Sequence, residues 1–537
     1  MNTLLLHNDA YGIDTAARIL RDGGLVAMPT ETVYGLAANA LDPHAVKNIF
    51  EAKGRPMDNP LIVHIAEIDD LIRMGLVATF PAAAQALADA FWPGPLTMIL
   101  PKGDAVPTAV SAGLSTVAVR LPSHPVARAL IARCGLPLAA PSANTSGRPS
   151  PTTATHVIDD LSGRIDAVLD GGRCTVGVES TVITLATDTP RILRPGVITL
   201  EQIEAVIGHV EVDPAVLDRL DSDAHAASPG MKYKHYAPRT RVVLVRSDER
   251  QFVRFVNRSY RRDDSVAALC YDEDADAILA PTVPLGARAD LNVQAQRLFD
   301  ALRQVDRMEG ISTVYARCPR AKGVGMALFN RMIRAAAFEV IDLPARRVIG
   351  LTGQTGAGKS EVSRMLGERG YTVVDADRAA RIATEDRAVI AALTDAFGDI
   401  LHPDGTLDRS ALARAAFGDE QRRRTLNTIT HPKIIGIMLS EARESDSDVV
   451  FDAPQLFEAG MEVYCDTVIA VIADETIRRQ RISARDRLSN DDITRRMAAQ
   501  YDEAFFVSRC DKVIENNGTI GELLEKVRDV IEGLNDG

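Results

Sequence analysis

Residues 353–360 read Gly-Gln-Thr-Gly-Ala-Gly-Lys-Ser, the spacing of a phosphate-binding loop. An apolar run precedes the motif and a helical pattern follows it, which is the context it requires. Gly353, Gly356 and Gly358, with Ala357 between the last two, let the backbone fold round phosphates with its N–H groups inward. Lys359 supplies a mobile charge to the β and γ phosphates of ATP, and the Ser360 hydroxyl a ligand for Mg²⁺. Asp375-Ala376-Asp377 ends a second apolar run, at the carboxyl edge where such sheets bind ligands. A carboxylate there can take a proton from an attacking hydroxyl; a helix N-cap by Asp377 is the bland alternative. Another apolar run ends in Asp452, the expected magnesium-side acid. Arg478, Arg479, Arg481 and Arg485 crowd one helix and the loop after it. On a small-molecule kinase they form a lid that neutralises transferring phosphate.

A phosphate-binding loop normally opens a domain, so the residues before Arg347 need their own chemistry. Thr30 and Thr32 flank Glu31 after an apolar strand, where hydroxyls can bind a small polar substrate. Lys53 and Arg55 lie two residues apart and could face one anion, the guanidinium by two parallel hydrogen bonds. Arg120 closes a strand. Ser142 and Asn144 lie in a loop rich in neutral donors, and Ser180 and Arg194 add a hydroxyl and a cation. Taken singly, each is more often a turn or a surface charge; their joint occurrence points to an anionic substrate.

The elements that must position these residues alternate. Strand patterns fall at 25–28, 96–100, 117–121, 137–140, 167–169 and 180–185, with helices at 13–22, 43–51 and 81–90 between them. This is a mixed α/β domain over residues 1–207. Residues 208–238 read as an exposed linker, although Ser-Pro-Gly-Met-Lys-Tyr-Lys-His-Tyr-Ala-Pro at 228–238 has more aromatic and basic character than a linker needs. From 239 to 345 strands at 242–245, 266–271 and 312–316 alternate with helices at 249–259, 292–307 and 324–337, a small βα domain. From 346 to 537 near-continuous apolar strands at 348–352, 372–374, 448–451, 468–472 and 512–514 alternate with helices. That pattern predicts a parallel sheet covered on both faces.

Composition bounds the function. At 537 residues the chain exceeds one ordinary core. A net charge of −12 disfavours tight, sequence-independent binding of nucleic acid. No stretch is apolar for long enough to span a bilayer, and the N-terminus lacks a secretory pattern. Six scattered cysteines without a Cys-x-x-Cys pair read as free thiols in a cytoplasmic protein.

Residues 347–537 resemble dephospho-coenzyme A kinase. The likeness runs through the loop, Val-Asp-Ala-Asp-Arg at 374–378, His431-Pro432, Ala-Pro-Gln-Leu-Phe-Glu-Ala-Gly at 453–460, Ser-Ala-Arg-Asp at 483–486 and Ile-Glu-Asn-Asn-Gly at 514–518. The resemblance implies Asp377 as the base for a ribose 3′-hydroxyl and Arg485 as a phosphate contact. Gln354-Thr355 and Gln455 depart from the usual Gly-Ile and Leu, and the required glycines are kept.

Residues 10–200 resemble the YrdC-type domain of threonylcarbamoyl-AMP synthase, through Pro-Thr-Glu-Thr-Val-Tyr-Gly-Leu, Lys-Gly-Arg-Pro, Trp-Pro-Gly-Pro-Leu-Thr, Val-Ala-Val-Arg-Leu-Pro, Ala-Pro-Ser-Ala-Asn and Leu-Arg-Pro-Gly. Residues 228–342 are similar to the accessory domain of its long form. This resemblance implies that threonine, bicarbonate and ATP yield threonylcarbamoyl-AMP and diphosphate. Lys53, Arg55 and Arg194 would surround the triphosphate, with Asn59, Thr116, Ser142, Asn144 and Ser150 placing the nucleotide. Thr32, His64, Arg120 and Ser180 would hold threonine, and Tyr236 would cover the nucleotide. The implied partner is a tRNA threonylcarbamoyl transferase complex, with neither stable nucleic-acid binding nor a membrane. The competing reading is an RNA-binding module fused to a kinase of another small alcohol; the absence of stacking aromatics near Lys53 and Arg55 weighs against it.

Overall fold

The computed structural model describes residues 2–216, 236–416, 419–486 and 489–535. The chain divides into two units, Met1–Val245 with Ser265–Ile341, and Arg246–Asp264 with Asp342–Gly537.

The first unit holds two sheets. Its larger sheet is built from β1 (Leu4–His7), β2 (Val26–Met28), β3 (Gly35–Asn39), β4 (Ile62–His64), β5 (Leu96–Pro101), β6 (Thr116–Arg120), β7 (Leu138–Ala139), β8 (Ala167–Asp170), β9 (Thr181–Thr184), β10 (Arg191–Arg194) and β11 (Glu211–Val212). They lie in the order β1-β8-β2-β3-β7-β4-β6-β5-β9-β10-β11. Parallel and antiparallel neighbours mix: β4 runs parallel to β6, whereas β5 runs antiparallel to it. Four of these strands are buried along their whole length and five more at all but one end residue, so they are short apolar runs without strict alternation. The helix Pro43–Lys53 begins with Asp42 accepting from the His44 N–H and Pro43 in the first turn, and stops at Gly54 in the left-handed region (φ 61°). It buries Val46, Ile49 and Phe50 and so fixes where Lys53 emerges.

The smaller sheet comprises β12 (Arg241–Arg246), β13 (Val266–Cys270), β14 (Thr282–Pro284), β15 (Thr313–Arg317) and β16 (Val340–Asp342), ordered β14-β13-β15-β12-β16. The pairs β14–β13, β13–β15 and β15–β12 are parallel. The helices Leu291–Val305 and Val324–Ala335 pack their apolar sides into its core through Leu298, Phe299, Leu328 and Met332.

One sequence expectation is corrected here. The start of the stretch read as an exposed linker is built into the fold: β11 pairs with β10, and Val210, Ala215 and Val216 are buried. The backbone carbonyls of Ala215 and Val216 accept hydrogen bonds from Arg334 and Asn330. Single apolar residues among Asp and Ala gave no period to detect. Residues 217–235, which include most of the basic aromatic segment, lie outside the described residues.

The second unit is a five-stranded sheet of β17 (Val348–Gly353), β18 (Thr372–Asp375), β19 (Val449–Asp452), β20 (Thr467–Ile472) and β21 (Lys512–Glu515), ordered β18-β19-β17-β20-β21. Every adjacent pair is parallel. All five carboxyl ends therefore share one edge, and the first strand lies at the centre with β19 and β20 on either side. That is the arrangement that opens a crevice for ligand. The unit also takes in the helix Glu249–Arg262, whose Arg258 and Arg262 pair with Asp511 and Glu462. No helix among the described residues is long and apolar enough to cross a membrane, and the six cysteines are free.

Candidate active sites

In the first unit, strand ends converge on a cleft lined by Thr30, Thr32, Arg55, His64, Arg120, Ser142, Asn144, Arg148, Ser150, Glu179, Ser180, Arg194 and Tyr236 among others. Register explains part of the convergence: His64 and Arg120 are neighbours across β4 and β6. Gly35 bridges to Ser142, which brings the loop after β7 alongside.

Arg120 is held from three sides. It donates to Glu31 Oε1 (2.6 Å), Thr32 Oγ1 (3.0 Å) and the Gly94 carbonyl (3.3 Å), and both members of the Glu31 pair are buried. Burial pushes the Glu31 carboxyl up, but the charge and hydrogen bond of Arg120 outweigh it and hold the group below its ordinary value. His64 lies beside this pair. Burial first, and the Arg120 charge second, push its imidazole down to about 3, so it is neutral at physiological pH.

That shift makes a pH prediction. An unfolded histidine takes a proton near pH 6.5, whereas folded His64 refuses it until about pH 3. Stability from this group is therefore complete above about pH 6.5 and falls at up to ~1.4 kcal/mol per pH unit below it. Trp92 is the only tryptophan, buried in this unit with its indole N–H on the Leu96 carbonyl. Trp92 fluorescence in urea should show His64→Gln losing less stability than the parent between pH 6.5 and 4.

Arg194 is buried and donates to the Ser180 carbonyl and hydroxyl, both at 3.1 Å. Ser180 Oγ also meets Thr97 Oγ1 at 2.7 Å. Burial lowers Arg194 to about 10, with Tyr236 and Glu179 opposing, so it stays charged at neutral pH. Arg55 lines the cleft and reaches the Asn59 and Pro60 carbonyls at 3.4 and 3.3 Å.

Lys53 differs from its sequence reading. Its ammonium is buried under the cleft, on the carbonyls of Ser142 and Asn144, and is not among the lining groups. Burial, then the Arg55 charge, push its pKa well down. In this conformation Lys53 ties together the loop that carries Ser142 and Asn144. Asn59 is buried and also off the lining, and Thr116 sits at the opposite end of β6 from Arg120. Tyr236 does line the cleft, but it is buried, with its ring 5.2 Å from Phe299.

Glu179 was not among the predicted site residues. It sits in the cleft wall and accepts from Ser150 Oγ (2.5 Å) and, on its other oxygen, from Arg331 Nε (2.9 Å). Burial raises the carboxyl, and Arg331 and then Arg194 pull it back below its ordinary value. Its place between Val178 and Ser180 was the only local signal; the partner lies 152 residues away.

In the second unit the phosphate loop joins β17 to the helix Lys359–Glu368. Gly358 has φ 98°, and a Cβ there would lie 2.3 Å from Asn516 Nδ2, so only glycine fits. Asn516 and Arg481 both donate to the Ala357 carbonyl, at 2.7 and 3.3 Å, and so brace the loop from behind. Lys359 pairs with Asp452, itself the register partner of Asp375 across β19 and β18. Burial lowers the Lys359 pKa, while Asp377 and Asp375 oppose the shift.

At this site the alternative of an Asp377 cap falls away and the expectation for Arg485 changes. The helix N-cap is Asp375, accepting from the N–H groups of Asp377 and Arg378, so Asp377 occupies the first turn, exposed. Arg485 does not reach the loop: its guanidinium forks onto the neighbouring Asp486 and is exposed. Ser360, at the loop's end, is exposed. Thr352, just before the loop, is buried and donates to the Pro454 carbonyl at 3.3 Å.

Family comparisons match these regions separately. Residues 18–196 match the family described as telomere recombination, residues 198–337 the threonylcarbamoyl-AMP synthase C-terminal domain, and residues 347–522 dephospho-CoA kinase. The threonylcarbamoyl-AMP synthase of Pyrococcus abyssi is 46% identical over 340 residues, 62% of this chain and 96% of that protein. The dephospho-CoA kinase of Corynebacterium jeikeium is 42% identical over 191 residues, 35% of this chain and 98% of that protein. The chain belongs to both families. It is a fusion, with synthase and kinase in separate regions of one bifunctional enzyme. The crystal structure of P. abyssi Sua5 complexed with L-threonine superposes on the synthase part with TM-score 0.59 and 43% identity, covering 64% of this chain and all (100%) of that one.

Proposed function

We propose that the cleft of the first unit condenses L-threonine with bicarbonate and transfers adenylate from ATP to the resulting carbamate. The amine nitrogen attacks the bicarbonate carbon and water leaves. A carbamate oxygen then attacks the α-phosphorus, and the bond to the bridging oxygen breaks to release diphosphate. Such a reaction needs fixed positive charge round the phosphates more than a strong base. The observation that carries this reading is the convergence of Arg55, Arg120 and Arg194 on one cleft with a neutral imidazole between strands. Arg120 would take the threonine carboxylate, with Thr32, His64 and Ser180 fixing the rest of the amino acid. Arg55 and Arg194 would face the triphosphate, Ser142, Asn144 and Ser150 would orient the nucleotide, and Tyr236 would bound it. Lys53 would act by holding the Ser142–Asn144 loop, with Asn59 and Thr116 entering only if ATP reshapes the rim. The adenylate is a mixed anhydride, so its consumer must be an acyltransferase; a tRNA threonylcarbamoyl transferase fits that chemistry.

At the second site the γ-phosphoryl of ATP would pass to the 3′-hydroxyl of dephospho-CoA. Lys359 would leave Asp452 for the β and γ phosphates, and Asp377 would accept the hydroxyl proton. Arg485 would have to abandon Asp486 to reach phosphate as a lid closes. Mg²⁺ suits the hard oxygens of Ser360 and Asp452. Among the described residues no cluster of three metal-binding side chains exists, so the ion would arrive with the nucleotide. When bound it neutralises charge on the phosphates. Asp377→Asn should lower the turnover of dephospho-CoA by about 10²–10⁴ with the KM for ATP within a few-fold, measured by ADP formation. Unaltered turnover would remove Asp377 as the base.

A further inference from the structure

Glu179 poses a physical problem in a cleft built for a triphosphate. It is a buried carboxylate in the wall, next to Ser180 and close enough to Arg194 to influence its charge. Left to itself, a buried carboxylate takes the nearest cation, because an unpaired charge out of water is costly. That cation would be Arg194, which the cleft needs for substrate.

The accessory domain supplies a different partner. Arg331, on the helix Val324–Ala335, is completely buried and donates from Nε to Glu179 Oε2. Its other nitrogens reach the Pro195 carbonyl (2.6 Å), Asn330 Oδ1 (3.0 Å) and the Glu179 carbonyl (3.3 Å). The guanidinium also lies 5.9 Å from the centre of the Tyr236 ring. One side chain from outside the nucleotide-binding fold thus touches the segment bearing Ser180, the residue after Arg194, and Tyr236.

We propose that Arg331 is a positioning residue of the synthase: it engages Glu179 from behind, which leaves Arg194 to face the ATP phosphates and holds Ser150 and Tyr236 in the cleft wall. The inference rests on the synthase reading above. It gives the accessory domain a share in ATP affinity without contact with substrate. The planar fork is essential, since a lysine cannot reach Glu179 and Pro195 together.

The test uses the full chain and three variants, Arg331→Gln, Glu179→Gln and the double variant, assayed by diphosphate release with ATP and threonine varied in turn. Fluorescence of Trp92, buried in the same unit, serves as the check on folded protein. Arg331→Gln should raise the KM for ATP tenfold or more while the KM for threonine changes less than twofold. Adding Glu179→Gln removes the competing charge, and should bring the ATP KM to within about threefold of Glu179→Gln alone. If Arg331→Gln does not fold but the double variant folds with that same ATP KM, the inference also stands. Equal losses for both substrates, no recovery in the double variant, or failure of both to fold would overturn it. Absence of threonine-dependent diphosphate release in the parent chain would instead remove the synthase reading itself.

Discussion

Arg120→Gln should abolish threonine-dependent diphosphate release, with a fall of about 10³ or more, and at the same time unfold the first unit more easily. Two losses combine. The threonine carboxylate would lose its fork of donors, and such charge-assisted pairs are the stronger kind of hydrogen bond. Glu31 would keep its charge in a buried place with no cation beside it. Removing one member of a buried pair costs about 3–5 kcal/mol. The two effects separate in the double variant Glu31→Gln/Arg120→Gln, where no buried charge remains. Its Trp92 unfolding midpoint should return most of the way to the parent, while diphosphate release stays absent. A double variant that regained activity would show that Arg120 serves Glu31 and not the substrate.

Lys359→Met should lower phosphorylation of dephospho-CoA about a thousandfold and leave diphosphate release by the synthase unchanged. The lysine is the one side-chain cation at the start of the helix behind the phosphate loop, and it pairs with Asp452 at the sheet's carboxyl edge. A fixed cation at transferring phosphate is worth about 10²–10³ in rate. Methionine keeps the length and the apolar stem, so the loop glycines and the Asn516 brace stay in place. Coupled ADP and diphosphate assays on one preparation measure both activities. A parallel fall in both would contradict two independent sites.

Most of the architecture was legible because its strands are apolar runs bounded by turn residues. All five strands of the kinase sheet fall within a residue or two of their expected positions. Seven strands of the first unit escaped, and five of them, Ile62–His64, Arg191–Arg194, Glu211–Val212, Thr282–Pro284 and Val340–Asp342, are only two to four residues long. Leu4–His7 is an edge strand with exposed leucines, and Gly35–Asn39 is rich in small residues that have low strand propensity. In the first unit, residue types in motifs named most of the polar groups that line the cleft, but not their orientation. Lys53 turns beneath the cleft because two carbonyls from a loop ninety residues on accept it, and no local pattern encodes that. Asp375 takes the helix cap and leaves Asp377 free, a choice of one Asp over another two positions away. Glu179 and Arg331 meet only through tertiary packing, so neither could be paired from sequence.

The central claim is that one polypeptide cleaves ATP at two different phosphorus atoms in two separate pockets. Supplying the full chain with ATP labelled at the α and γ positions tests it most directly. Threonine with bicarbonate should move the α label into an adenylate and release diphosphate. Dephospho-CoA should take the γ label and leave ADP, and saturating both sets of substrates should leave each rate unchanged. If either acceptor suppressed the other reaction completely, or both products drew on the same phosphorus, the account of two pockets would be wrong.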